Sequence, residues 1–209
     1  HIPFGLIRFK EGRMSTREGN VIFLEEVLQR AIRMAREIIE EKNPGLADKE
    51  SAAIAVGLGA VRFGDLSNDR IKDIEFDWDK ALDFSGETAA YIQYAHARIC
   101  SILRKAGGAE LTWSDDAAAY LQQEEERALV KILALLPEKV LASAEAYRPS
   151  ILARYLIDVA RGFNRFYHRC PVLGSDAALQ QARLLLIDAT RQVLVNGLAL
   201  LGIAAPEEM

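Results

Sequence analysis

From Leu24 onward the apolar residues recur at three- and four-residue spacing, and this period decides the fold class. Leu24, Val27, Leu28, Ala31, Ala35, Ile38 and Ile39 mark one face of a helix, with Glu25, Arg33, Glu37 and Glu40 outside it. Asn43-Pro44-Gly45 stops that helix. A second runs from Asp48 to Leu66, rich in Ala and Gly and so able to pack closely, and a third spans Glu87–Lys105. The same spacing predicts helices over about 116–136, 138–147, 150–170 and 177–202, with breaks at Pro137, Pro149, Pro171 and Gly174. The expected fold is all-α, a helical bundle. Residues 1–20 are the exception: a short β-leaning stretch, His1 to Lys10, followed by a polar, cationic loop over Gly12–Asn20. Ser67–Ser85 reads as a connector and Ala106-Gly107-Gly108-Ala109 as a flexible linker.

Composition narrows the function by exclusion. A formal net charge of −4 rules out a polycationic, histone-like mode of nucleic-acid binding but not a local basic face. Cys100 and Cys170 lack a CxxC partner, so neither a disulfide framework nor a structural zinc site is legible. Three scattered histidines, His1, His96 and His168, nominate no metal site or nucleophile. No apolar stretch approaches the ~20 residues of a membrane span, and no signal peptide opens the chain, so the cytoplasm is the expected compartment. The chain starts at His1 in mid-pattern and without methionine, as a fragment of a longer protein would.

Three constellations carry chemistry. In the loop, Arg13 and Arg17 bracket Ser15 and Thr16, a set of cations and hydroxyl donors suited to a polyanion such as a triphosphate. On the third helix Tyr91, Tyr94 and Arg98 share an arc of about 60°. Such an arc serves either to stack unpaired bases beside a phosphate or to make a tyrosine contact between helices, the commoner arrangement on residue types alone. Gln93 and His96 lie off the arc, as structural or solvent-facing residues. On helix 150–170, Arg154, Arg161, Arg165 and Arg169 fall within about 80° of one another with Asp158 as the one acid. The stripe is either a phosphate rail or a solvated outer face partly paired through Asp158. Gly57-x-Gly59 and Gly64 lack a preceding strand and read as close helix packing. Glu124-Glu125-Glu126 reads as a solvated helix face, and the aspartates between 69 and 83 have no calcium-loop register.

The three constellations occur in an order that resembles the C-terminal portion of bacterial arginyl-tRNA synthetases, over essentially the whole chain. Arg13-Met14-Ser15-Thr16-Arg17, flanked by Gly12 and Glu18-Gly19-Asn20, is similar to the class I Lys-Met-Ser-Lys-Ser signature. Gly59-Ala60-Val61-Arg62-Phe63-Gly64-Asp65-Leu66-Ser67, Phe76-Asp77-Trp78-Asp79 and Tyr91-x-Gln93-Tyr94-Ala95-His96-Ala97-Arg98 continue it. Asp188-Ala189-Thr190-Arg191 resembles the Asp-Ala-Leu-Arg (DALR) signature of the family's anticodon-binding domain, and Pro206-Glu207-Glu208-Met209 matches its closing residues.

The resemblance implies three parts. Residues 1–20 end a catalytic Rossmann-type domain, with Arg13, Met14, Ser15, Thr16 and Arg17 as a loop on the ATP phosphates. Residues 21–78 form a helical connector, and 79–209 form the anticodon-binding bundle. The tRNA-binding residues implied are Tyr91, Tyr94, Arg98, Tyr167 and Met209, which turns the 91/94/98 arc from a packing contact into an RNA surface. The implied partners are tRNA(Arg), with arginine and ATP–Mg2+ used by the full-length enzyme; neither DNA nor a membrane is expected, and a monomer is. The motif departs from the family where Arg13 and Arg17 replace lysines, keeping charge but presenting planar forks. The first class I signature is not found, so the chain is expected not to charge tRNA alone. The competing readings are a stand-alone helical RNA-binding module and a helical scaffold without nucleic acid. Residues 10–20 are expected to be disordered, because a strand without neighbours cannot satisfy its backbone.

Overall fold

A computed structural model of the chain describes residues 1–9, 23–107, 111 and 117–209. The loop Gly12–Asn20, with Arg13 to Arg17, lies outside the described residues, as do Gly108 and Ala109 of the linker. The elements run β1 (Ile7–Phe9), α1 (Leu24–Lys42), α2 (Lys49–Leu66), β2 (Ile74–Phe76), α3 (Trp78–Ala81) and α4 (Ala89–Lys105). They continue with α5 (Ala117–Tyr120), α6 (Glu124–Leu133), α7 (Leu136–Glu145), α8 (Pro149–Arg169) and α9 (Ala177–Leu200). Among the described residues, no helix is long and apolar enough to cross a membrane.

α1 and α2 form a closely packed pair. α1 buries Val27, Ala31, Ala35 and Ile39, and α2 presents Ala52, Ala53, Val56, Gly57 and Ala60 to the same core. The Asp48 carboxylate caps α2 by accepting from the Ser51 backbone N–H at 3.0 Å. At Gly57 a β-carbon would stand 2.7 Å from the backbone nitrogen of Ile32, so the helix crossing itself requires glycine there. The three glycines of α2 are thus packing residues, as their position inside a helix implies.

The connector contains a strand that periodicity does not reveal. β2 pairs in parallel with β1, in the register Ile7 to Ile74, Arg8 to Glu75 and Phe9 to Phe76. Leu6 N–H donates to Asp73 Oδ1 at 2.9 Å, and Arg8 pairs with the same carboxylate at 2.6 Å. The strand at the start of the chain is therefore not solitary; one edge of its backbone pairs with a segment almost seventy residues away.

The main core lies between α4, α8 and α9, with α6 along one side. Ile92 and Ile99 of α4, Phe163 and Phe166 of α8, Ile187 and Leu194 of α9 and Leu129 of α6 are all fully buried. Two expectations fail beside it. The single helix over 116–136 is broken into α5 and α6. Glu126 is not on a solvated face: it is fully buried, and one carboxylate oxygen accepts from the Gln123 backbone N–H at 2.8 Å. Its other oxygen accepts from Arg183 Nε at 2.7 Å, and Arg183 also donates to Pro171 O at 2.7 Å. A carboxylate that caps its own helix while pairing with a buried arginine points inward, whatever the charge of its neighbours.

α7 and α8 begin with Pro137 and Pro149 in their first turns, where a missing N–H costs nothing. Between them Tyr147 adopts φ +52°, and Arg148 N–H donates to Ser143 O at 2.9 Å. This is a left-handed helix stop built on a tyrosine.

Candidate nucleic-acid interface

The Thr88 side chain opens α4 by accepting from the Tyr91 N–H at 3.2 Å, which fixes the rotation of the helix that carries the aromatic arc. Tyr94 is 40% exposed and meets Phe84 edge-on, ring centroids 6.4 Å apart. One turn later Arg98 Nη2 donates to the Tyr94 hydroxyl at 2.7 Å, and its guanidinium lies 4.6 Å from the Tyr94 ring centre. The same guanidinium lies 5.4 Å from the ring of Tyr167 on α8, which is itself stacked on buried Phe163 at 5.9 Å. Two half-exposed rings and one cation are thereby held in a fixed arrangement before any ligand arrives.

These side chains line a groove of about 340 Å³, closed by Ser101, Glu208 and Met209. Tyr94, Arg98, Tyr167 and Met209 thus converge, although Met209 belongs to the segment after α9. Tyr91 does not line it. Its ring packs against the main core, and its hydroxyl accepts from Asn164 Nδ2 at 2.8 Å. Here the packing alternative describes Tyr91, and the exposed-surface alternative describes Tyr94 and Arg98.

Glu207 of the closing match also borders the groove, as do Arg104, Lys105 and Asn43, which the sequence did not single out. Ser101 and Lys105 extend the Tyr94–Arg98 stripe by one and two turns, so continued periodicity could have found them. The charge on the rim is mixed: Arg104 pairs with Glu208 at 2.9 Å.

Among the described residues, the arginine stripe on α8 pairs through Glu87 and Glu125, with no ion pair to Asp158. Glu87, just before α4, accepts from Arg154 at 2.8 Å and Arg161 at 2.7 Å. The Arg161 hydrogen bond, with charge from both arginines, holds the Glu87 carboxyl below its ordinary range. Arg169 approaches Glu125 at 4.0 Å, while Arg165 is exposed. A rail of four free cations is therefore reduced by two acids, one just before α4 and one on α6.

Gln93 and His96, set aside in the sequence, are buried under the closing segment. His96 Nδ1 lies 2.9 Å from Pro206 O and must donate, since a carbonyl only accepts. Its Nε2 lies 3.6 Å from Cys100 Sγ. Burial pushes the His96 pKa down, against the opposing pull of the Pro206 hydrogen bond, and burial pushes the Cys100 thiol up.

Residues 92–209 match the DALR anticodon binding domain, and residues 1–78 match the catalytic domain of class I tRNA synthetases of the arginine type. The chain is 46% identical over its whole length to an arginine–tRNA ligase of Alkaliphilus metalliredigens, covering 37% of that protein. It is 47% identical to that of Ligilactobacillus salivarius, covering all of this chain and 36% of that one. The chain belongs to the DALR anticodon-binding domain family.

The solved arginyl-tRNA synthetase of Thermus thermophilus superimposes with a TM-score of 0.90 at 40% identity, covering 99% of this chain and 35% of that one. The chain thus spans little more than a third of the arginine–tRNA ligases it matches. In this DALR-family chain, Tyr94, Arg98, Tyr167 and Met209 all fall inside the span matched by the anticodon binding domain, and Tyr91 falls one residue before it. The class I family uses ATP. Arg13 to Arg17 lie inside the span matched by its catalytic domain.

Proposed function

We propose that this chain binds the anticodon arm of tRNA(Arg) as part of an arginine–tRNA ligase. The observation that carries the proposal is the convergence of Tyr94, Arg98, Tyr167 and Met209 on one groove. An unpaired base can stack on the exposed tyrosine faces while the guanidinium meets a phosphate, an arrangement worth about 1–3 kcal/mol per stacked base. All four residues come from one chain, so a monomer suffices.

The three-part organisation goes with this reading. Residues 79–209 are the RNA-binding bundle, 21–78 the connector, and 1–20 the end of the catalytic unit. Arg13 and Arg17, with Met14, Ser15 and Thr16, supply cations and hydroxyl donors for the ATP phosphates that accompany Mg2+ in the whole enzyme. The support for this is the residue types and the match of residues 1–78 to the catalytic domain. The compartment of such an enzyme is the translating cytoplasm, and the chain by itself does not charge tRNA.

The test is a fluorescence-anisotropy titration with tRNA(Arg), a non-cognate tRNA and an arginine anticodon stem-loop, repeated across salt concentrations. Tighter binding of the arginine RNAs that persists as salt rises supports the reading. Equal binding of all three that vanishes with salt overturns it.

A further inference from the structure

The segment after α9 is held by side chains at every second residue. Arg62 of α2 donates to Gly202 O. Gln93 Nε2 donates to Ala204 O at 2.8 Å and to Ala55 O at 3.0 Å. His96 donates to Pro206 O at 2.9 Å, and Arg104 pairs with Glu208 at 2.9 Å. Asn43 Nδ2 closes the series by donating to Met209 O at 3.2 Å. After the turn at Gly202, held by α2, the contacts at 204, 206 and 208 recur at a two-residue spacing and are all made by α4. The two central holders, Gln93 and His96, are 0% and 2% exposed. Both are neutral donors, so they hold the strap carbonyls from buried positions without burying a charge.

Met209, at the far end of this strap, stands as a wall between two cavities. On one side is the groove of about 340 Å³ with Arg98 and Tyr167. On the other is a cavity of about 360 Å³ lined by Ile38, Lys42 and Phe84. Asn43, Tyr94 and Met209 border both. A shift of the strap by a fraction of its length changes the shape of both spaces at once.

We propose that Gln93 and His96 are positioning residues for the RNA site: by fixing the carbonyls of residues 204 and 206 they set where Met209 stands, and so which unpaired base the groove accepts. The inference rests on the reading under Proposed function. Neither residue touches the ligand; each acts through the strap.

The experiment uses the full 209-residue chain labelled at its three methionine methyl groups. Methyl NMR reads the place of Met209, and anisotropy with an arginine anticodon stem-loop reads the site. Gln93→Leu and His96→Leu move the Met209 signal to that of an unstructured methionine and weaken cognate binding at least tenfold. Salt-driven binding of a non-cognate stem-loop stays unchanged. His96→Gln, which keeps a donor for Pro206 O, restores both readouts. Deleting residues 205–209 gives the same loss with the core intact, and Gln93→Leu then costs no further affinity. Selectivity that survives displacement of Met209, or an equal cost of Gln93→Leu in the truncated chain, overturns the proposal. A Met209 signal unmoved by Gln93→Leu overturns the positioning itself. Failure of the unsubstituted chain to prefer the arginine stem-loop instead overturns the functional reading beneath it.

Discussion

His96 and Pro206 lie 110 residues apart in the chain, yet an imidazole nitrogen of the one donates to the carbonyl of the other across 2.9 Å. The contact is formed by a neutral ring, because burial lowers the folded pKa of His96 below the ordinary 6.5. Unfolded chain then binds the proton more readily than folded chain, so the stabilisation is complete above pH 6.5 and is lost as pH falls below it. Thermal melts between pH 7.5 and 5 are expected to show this loss, with His96→Gln flattening it. The carboxylates held below their ordinary range, such as Glu87 and Glu40, lose their contributions only below about pH 4.5, so the two windows separate.

Tyr91 and Tyr94 sit three residues apart and should behave oppositely. Tyr94→Ala removes an exposed stacking face and is expected to weaken arginine stem-loop binding by about 1–3 kcal/mol, with little change in melting temperature. Tyr91→Phe removes the hydroxyl that accepts from Asn164; it is expected to cost about 1 kcal/mol of stability and leave RNA affinity intact. Parallel binding and urea-unfolding curves check both.

Glu87→Gln frees Arg154 and Arg161. These are exposed pairs, so stability should change by less than about 1 kcal/mol. Where the α8 stripe meets RNA backbone, the slope of log K against log[salt] steepens by about one unit or more. An unchanged slope shows that the stripe faces away from bound RNA.

Glu126→Gln leaves the Arg183 guanidinium charged in a site where its side chain is only 8% exposed. A loss of about 3–5 kcal/mol is expected in chemical denaturation. The double variant Glu126→Leu, Arg183→Met should lose less than the single, because neither charge is then stranded.

Tyr147→Gly addresses the φ of +52° in the stop between α7 and α8. The side chain is 61% exposed, so little packing is lost. Glycine at this place is expected to raise stability by about 1 kcal/mol, measurable as a higher denaturation midpoint.

The parts of the molecule legible in the sequence are those whose cause is local. The α1 face, the stop at Asn43-Pro44-Gly45, the packing role of Gly57 and the exposed partnership of Tyr94 with Arg98 follow from spacing within one or two turns. What escaped depends on distant partners. β2 is three residues long and exists because β1 pairs with it. Glu126 looks like any acid in an acidic run until Arg183, 57 residues on, reaches it. Glu87 carries no signal that it serves two arginines on α8, 67 and 74 residues away. Met209 was placed at the site by resemblance; the residues that bring it there, Gln93 and His96, had no local feature to mark them.

Because Met209 forms one wall of the groove, that wall is supplied by the segment after α9 and not by the helices that carry Tyr94, Arg98 and Tyr167. Tyr94 and Arg98 meet within a single helix, but the groove is closed on that side only when the strap is docked, so its shape depends on contacts made more than a hundred residues apart in the chain.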